Sequence, residues 1–153
     1  MGTSGQVCAT GLAGANLIVD VVGYLSDSAG VVTLLSQPAR VVDTRAGSGY
    51  PGAGQAMLGY GSPRCFVVAG QGGVPADALG VIVNLTAIGY SEDGWLTLYP
   101  NGQAVPATSS LNYDLIEYAI ANTAVVRVGS SGQVCLVGSP GTNAILDVSG
   151  YLR

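Results

Sequence analysis

Residues 80–102 read GVIVNLTAIGYSEDGWLTLYPNG and contain two runs of aliphatic, β-branched and aromatic residues. The runs Gly80–Ile88 and Trp95–Pro100 are typical of strands, because such side chains fit a pleated, half-buried surface. Asp93-Gly94 and Asn101-Gly102 are dipeptides that supply the positive φ angles of tight hairpin turns. The stretch therefore predicts antiparallel strands joined by short turns.

The same pattern continues on both sides of this stretch. No segment shows a sustained 3.6-residue apolar period, and the 24 glycines interrupt the chain too often for helices. Further strands are predicted at Arg40–Arg45, Cys65–Ala69, Ser109–Tyr113, Asn122–Gly129, Gln133–Val137 and Ala144–Leu152. About eight to ten short strands predict an all-β, antiparallel β-sandwich, with a β-barrel as the alternative.

A repeated segment lies near each end of the chain. Residues 4–25 read SGQVCATGLAGANLIVDVVGYL, and residues 131–152 read SGQVCLVGSPGTNAILDVSGYL. The two align without a gap at an offset of 127 residues and are identical at 14 of 22 positions. We interpret residues 4–25 as the terminal hairpin of a preceding copy in a tandem array. The alternative is a single domain that contains two matched hairpins.

This interpretation divides the chain into four parts. Residues 1–3 are a cloning remnant, 4–25 the terminal hairpin, 26–32 a small-residue linker and 33–153 one complete β-sandwich repeat. An isolated two-stranded hairpin is marginally stable in water. We therefore expect it to dock on a neighbouring repeat or to pair with an identical subunit by strand addition through residues 16–25.

The positions of the three cysteines agree with the repeat. Cys8 and Cys135 occupy equivalent places, so Cys65 is the other cysteine of the full copy. A Cys65–Cys135 disulfide is predicted, with the partner of Cys8 in the preceding copy. The alternative is three buried free thiols. A disulfide implies an oxidising compartment, so we expect a secreted protein at the cell surface or in the cell wall.

Composition argues against several classes of function. The chain has neither lysine nor histidine, so the common Ser-His, Cys-His and Ser-Lys arrangements cannot be assembled, and we expect no enzymatic activity. The dispersed cysteines lack zinc-site spacing, and neither a metal nor a cofactor is expected. Five scattered arginines and a net charge of −4 disfavour nucleic acid. The apolar runs are too short for membrane insertion.

Two aromatic clusters are candidates for carbohydrate binding, because sugar-binding β-sandwiches present aromatic faces flanked by polar groups. Trp95 and Tyr99 share a strand face, with Tyr90 nearby in sequence. The second cluster consists of Asn112, Tyr113, Asp114 and Tyr118. The alternative is that these rings pack between or over the sheets.

A carboxylate among apolar neighbours needs a partner, and Asp147 lies in such a run. Arg45 and Arg40 are the available cations. We expect either an Asp147–Arg45 pair or an Asp43–Arg40 pair, with a structural role.

Five motifs in order resemble a repeated all-β domain of secreted and cell-wall-associated proteins of actinobacteria and related bacteria. They are RVVDTR (40–45), VNLTA (83–87), GWLTLYPNG (94–102), SLNY (110–113) and DVSGYL (147–152). The resemblance covers residues 39–152 and the partial copy at 4–25. It implies an extracellular, non-catalytic role without an established ligand.

Together, the repeat and the resemblance predict a structural or adhesion module, which acts as a spacer or assembly unit of a repeated bacterial surface protein or filament. The alternative function is a carbohydrate- or cell-wall-binding module. The expected partners are neighbouring repeats, identical subunits or cell-wall polysaccharide.

Overall fold

The structure, a computed structural model, describes residues 31–57 and 59–153 together with Val19 and Val21. The predicted hairpin at residues 4–25 therefore lies outside the described residues, apart from those two valines. Eight strands and one short 3-10 helix form in the described part: β1 (Val32–Asp43), β2 (Arg64–Val67), β3 (Gly80–Ile88), β4 (Gly94–Pro100), β5 (Leu111–Tyr113), β6 (Ala119–Arg127), the 3-10 helix (Ser130–Gly132), β7 (Gln133–Gly138) and β8 (Asn143–Leu152). None of this helical structure is long or apolar enough to span a bilayer.

The strands form two four-stranded antiparallel sheets. The first sheet has the order β1-β8-β3-β6, and the second has the order β2-β7-β4-β5. The sheets remain open and do not close into a barrel. The predicted antiparallel β-sandwich is therefore confirmed.

The core lies between the sheets and follows the alternation of the strands. On β3, every second residue is fully buried: Val81, Val83, Leu85 and Ala87. The residues between them point to the outer face of the first sheet, where Ile82, Asn84 and Thr86 are partly exposed. Because each sheet buries one face, its other face is available for surface contacts.

β1 is longer than its sequence suggests. It begins at Val32, the last residue of the predicted linker, whereas the sequence indicates a strand only from Arg40. The register against β8 shifts between Leu34 and Ala39, and Pro38 lies within this irregular part. Proline, which has no backbone N–H, is tolerated there because β1 is the edge strand of its sheet and one side of it makes no ladder hydrogen bonds.

Residues 131–152 do not form a hairpin, which corrects the expectation for this copy of the repeated segment. β7 pairs with β2 and β4 in the second sheet, whereas β8 pairs with β1 and β3 in the first. The two strands are thus joined across the sandwich, an arrangement here called the β-arch. Each of them is an interior strand of its sheet.

Candidate functional site

A pocket forms on the outer face of the second sheet, where the chain folds back over β4. Thr97 on this face donates a hydrogen bond of 2.9 Å from its hydroxyl to the carbonyl oxygen of Thr108. The Ser110 hydroxyl accepts a hydrogen bond of 2.9 Å from the backbone N–H of Leu98. These bonds hold the segment between β4 and β5 against the strand and build one wall of the pocket.

The pocket has a volume of about 270 Å³ and combines aromatic, hydroxyl and amide groups. Its lining residues are Tyr60, Trp95, Thr97, Pro106, Ala107, Thr108, Ser109 and Asn112. The ring of Tyr60 meets the ring of Trp95 edge to face, with 6.1 Å between centroids and 63° between planes. Trp95 lies directly opposite Asn112 in the register of β4 and β5. An apolar ring surface beside hydrogen-bonding groups suits a ligand with both kinds of surface.

Only some of the sequence-predicted residues contribute to this pocket. Trp95 and Asn112 line it, whereas Tyr99 is 5% exposed and packs with Cys135 and Val137 on the same outer face. Burial raises the pKa of Tyr99. Sequence reasoning missed Tyr60, which lies in a loop far from Trp95 in sequence and carries no local pattern.

Tyr90 and Tyr113 lie away from the pocket. Tyr113 belongs to the core, and the ring of Tyr90 stacks on it with 4.2 Å between centroids. The Tyr113 hydroxyl hydrogen-bonds the buried hydroxyl of Thr142, and the Tyr90 hydroxyl donates a 2.6 Å bond to the carbonyl oxygen of Glu117. The Tyr113 ring therefore packs inside the sandwich, and the half-buried Tyr90 ring covers it.

Cys65 and Cys135 form a disulfide between β2 and β7, as expected. They are direct partners in the register of the two strands, with 4.0 Å between their Cα atoms. Tyr99 lies opposite Cys135 on the other side, so its ring covers the buried cysteine, while Cys65 is exposed. The disulfide joins an edge strand to an interior strand.

A charge cluster lies on the outer face of the first sheet. Arg40 donates hydrogen bonds of 2.8 Å from Nε and 3.1 Å from Nη2 to the two carboxylate oxygens of Asp147. Asp43, which is 1% exposed, accepts bonds from Arg45 at 3.0 and 2.7 Å and a longer one from Arg40 at 3.4 Å. The side-chain bonds from Arg45 hold the pKa of Asp43 below its usual value.

The pairing in this cluster differs in one respect from the expected options. Asp147 meets Arg40 and not Arg45, because Arg40 lies directly opposite Asp147 in the register of β1 and β8. Arg45 turns back to Asp43 two residues earlier, also through its backbone N–H at 3.1 Å. The cluster fastens β1 to the rest of its sheet.

The pocket and the charge cluster therefore occupy the outer faces of opposite sheets. The charged groups of the cluster are paired with each other, whereas the pocket presents Tyr60, 61% exposed, to solvent. Comparison of the chain with protein-family models finds no match, and neither does a search of the curated proteins.

Proposed function

We propose that this chain is an extracellular, non-catalytic structural unit of a repeated bacterial surface protein, which acts as a spacer, assembly or adhesion module. One observation carries the proposal: residues 131–152, one copy of the repeated segment, supply an interior strand to each sheet. Both sheets take an interior strand from that segment, which supports one sandwich for each 127-residue repeat. A repeat that coincides with a folding unit is the pattern of tandem modules.

The disulfide supports the extracellular part of the proposal. Cys65 and Cys135 form a disulfide. Disulfides persist in oxidising surroundings and are rare where glutathione keeps thiols reduced. The resemblance of the five sequence motifs to a domain of secreted and cell-wall proteins points to the same setting.

Immunolabelling of cells that produce the protein tests the proposal. Antibodies raised against the folded domain are expected to label intact cells, with a cytosolic protein of the same cells as the unlabelled control. Labelling that requires permeabilised cells would contradict a surface location.

A second function, carbohydrate binding, is favoured by the pocket. Trp95 and Tyr60 offer ring surfaces to a pyranose, while the amide of Asn112 and the hydroxyl of Ser109 can hydrogen-bond its hydroxyl groups. The ligand class proposed for this site is a cell-wall polysaccharide.

Trp95 is the only tryptophan of the chain, so its fluorescence reports on this pocket. Titration with peptidoglycan fragments and soluble polysaccharides is expected to change the emission, and Tyr60→Ala is expected to abolish the change. Tyr118→Ala removes a tyrosine that is 79% exposed and does not line the pocket, and it should titrate like the parent chain. An unchanged emission across the whole panel would exclude carbohydrate binding at this site.

A further inference from the structure

The two ends of the sandwich lie side by side. The N–H of Val31 donates a 2.7 Å hydrogen bond to the carbonyl oxygen of Arg153, and the N–H of Arg153 donates a 3.1 Å bond to the carbonyl oxygen of Val31. Val32 is the register partner of Leu152. The residue directly before β1 therefore lies beside the place where β8 ends.

Four residues of the β-arch make contacts that fix its position in the sandwich. Cys135 is bonded to Cys65, and Asp147 accepts the two bonds from Arg40. The side-chain oxygen of Asn143 accepts a 3.1 Å bond from the Thr44 hydroxyl. Gly150 faces β1 closely, since a Cβ atom there would lie 2.8 Å from the carbonyl oxygen of Thr33.

All four residue types recur at the equivalent positions of the other copy, namely Cys8, Asn16, Asp20 and Gly23. These four contacts could therefore be made by either copy. The Thr142 hydroxyl, which bonds Tyr113, has no counterpart, because the equivalent residue of the other copy is Ala15.

The apolar positions also correspond. Four buried residues of the β-arch, Leu136, Ala144, Leu146 and Val148, are 0% exposed. Their equivalents are Ala9, Leu17, Val19 and Val21, which are all apolar and of similar total volume, whereas the buried Val137 corresponds to Thr10. In the described structure Val19 is 64% and Val21 86% exposed, which leaves apolar surface that the place of β8 would bury.

We propose that residues 4–25 are an interchangeable copy of the β-arch, which can replace residues 131–152 in the sandwich of the same chain. In that arrangement residues 16–25 take the place of β8, and residues 26–31 connect them to β1 as a hairpin loop. Six residues are enough for such a connection, because the strand ends are adjacent.

The disulfide moves with the exchange. The Cys8 thiolate attacks the sulfur of Cys65, a new Cys8–Cys65 bond forms, and Cys135 leaves as a thiolate, so the step needs no external oxidant. The displaced residues 131–152 are then free to complete another unit. This inference rests on the proposed array function and gives it a way to link neighbouring units.

Two full-chain variants in a Cys135→Ser background test the exchange. Gly150→Val should exclude residues 131–152 from their place, because the added Cβ atom alone would lie 2.8 Å from the carbonyl oxygen of Thr33 and 3.3 Å from Cδ1 of Ile82. Gly23→Val makes the matched change in the other copy. Both variants are refolded in a glutathione buffer, in which oxidised glutathione accepts the two electrons when two thiols join, and their disulfides are mapped by mass spectrometry.

The Gly150→Val variant is expected to fold, to remain monomeric and to carry a Cys8–Cys65 bond in most molecules. The Gly23→Val variant is expected to lack that bond. A Gly150→Val variant that loses its β-sheet circular dichroism or lacks the bond would overturn the proposal. Equal amounts of the bond in both variants, or a bond only between two chains, would overturn it as well. Failure here leaves the surface-labelling result untouched, so the two proposals fail separately.

Discussion

Arg40 and Asp147 face each other across β1 and β8, and the guanidinium of Arg40 donates hydrogen bonds of 2.8 and 3.1 Å to the two carboxylate oxygens of Asp147. The same guanidinium reaches Asp43 at 3.4 Å, where Arg45 supplies the second cation. One arginine thus holds the edge strand to an interior strand and also neutralises a buried acid.

The bidentate pairing of Arg40 with Asp147 predicts a measurable coupling free energy between the two side chains. A double-mutant cycle with Arg40→Ala and Asp147→Ala should give an interaction free energy between about 0.5 and 3 kcal/mol, because the pair is bidentate and partly shielded from water. Urea unfolding measures it. The control cycle uses Arg153 and Asp77, whose side chains are each 60% exposed, and should give less than about 1 kcal/mol. Equal coupling in the two cycles would contradict the role given to Arg40.

The lowered pKa of Asp43 predicts how the free energy of unfolding changes at acid pH. Its pKa is lowered in the folded state, chiefly by the hydrogen bonds from Arg45, so the folded protein binds a proton at this group less readily than the unfolded chain does. The resulting stabilisation is complete above the unfolded pKa, about 4, and is lost as the pH falls through the lower folded value. Asp43→Asn should therefore be less stable than the parent at pH 7, with a difference that narrows below about pH 4.

Free energies of unfolding measured from pH 2 to pH 7 check this expectation. Asp77→Asn is the control, because it removes one carboxylate from an exposed position and changes the net charge by the same amount. A constant gap between Asp43→Asn and the parent chain at every pH would show that Asp43 does not supply the pH dependence.

The disulfide should account for a large part of the stability. It closes a loop with a sequence separation of 70 residues, for which the loss of chain entropy in the unfolded state corresponds to about 4 kcal/mol. Guanidinium unfolding with and without a reductant measures the difference. The double variant Cys65→Ala/Cys135→Ala removes the bond and should unfold at the same midpoint in both buffers. An unfolding midpoint of the parent chain that is the same with and without the reductant would refute the expectation.

Local composition predicted the strands where they are regular. Gly80–Ile88 matches β3 at both ends, because its apolar run is bounded by glycines and turn residues. The first half of β1 escaped prediction because Pro38 and the irregular register interrupt the pattern, and only pairing with β8 reveals the strand.

Features that depend on which strands pair could not be predicted from local composition. The turn at Gly138–Gly141 has the composition of a hairpin turn, yet it joins β7 and β8 across the two sheets. Likewise, the sequence showed that Asp147 needs a cation, but the register of β1 against β8 decides that the cation is Arg40. The sequence predicted two residues of the pocket, Trp95 and Asn112, which lie on neighbouring strands. It did not predict Tyr60, which contacts Trp95 from a loop that is distant in sequence.

Tyr113 and Thr142 provide a final test, inside the core. Their hydroxyl groups hydrogen-bond each other where Thr142 is fully buried, so removing one partner leaves the other without a hydrogen bond. Thr142→Val and Tyr113→Phe should each lower the free energy of unfolding by about 1 to 3 kcal/mol, whereas the double variant should cost clearly less than the sum. Tyr90→Phe removes the hydroxyl of the stacked neighbour, whose bond to Glu117 lies at the surface, and should cost less than Tyr113→Phe. Strictly additive losses in the double variant would mean that the two hydroxyl groups do not depend on each other.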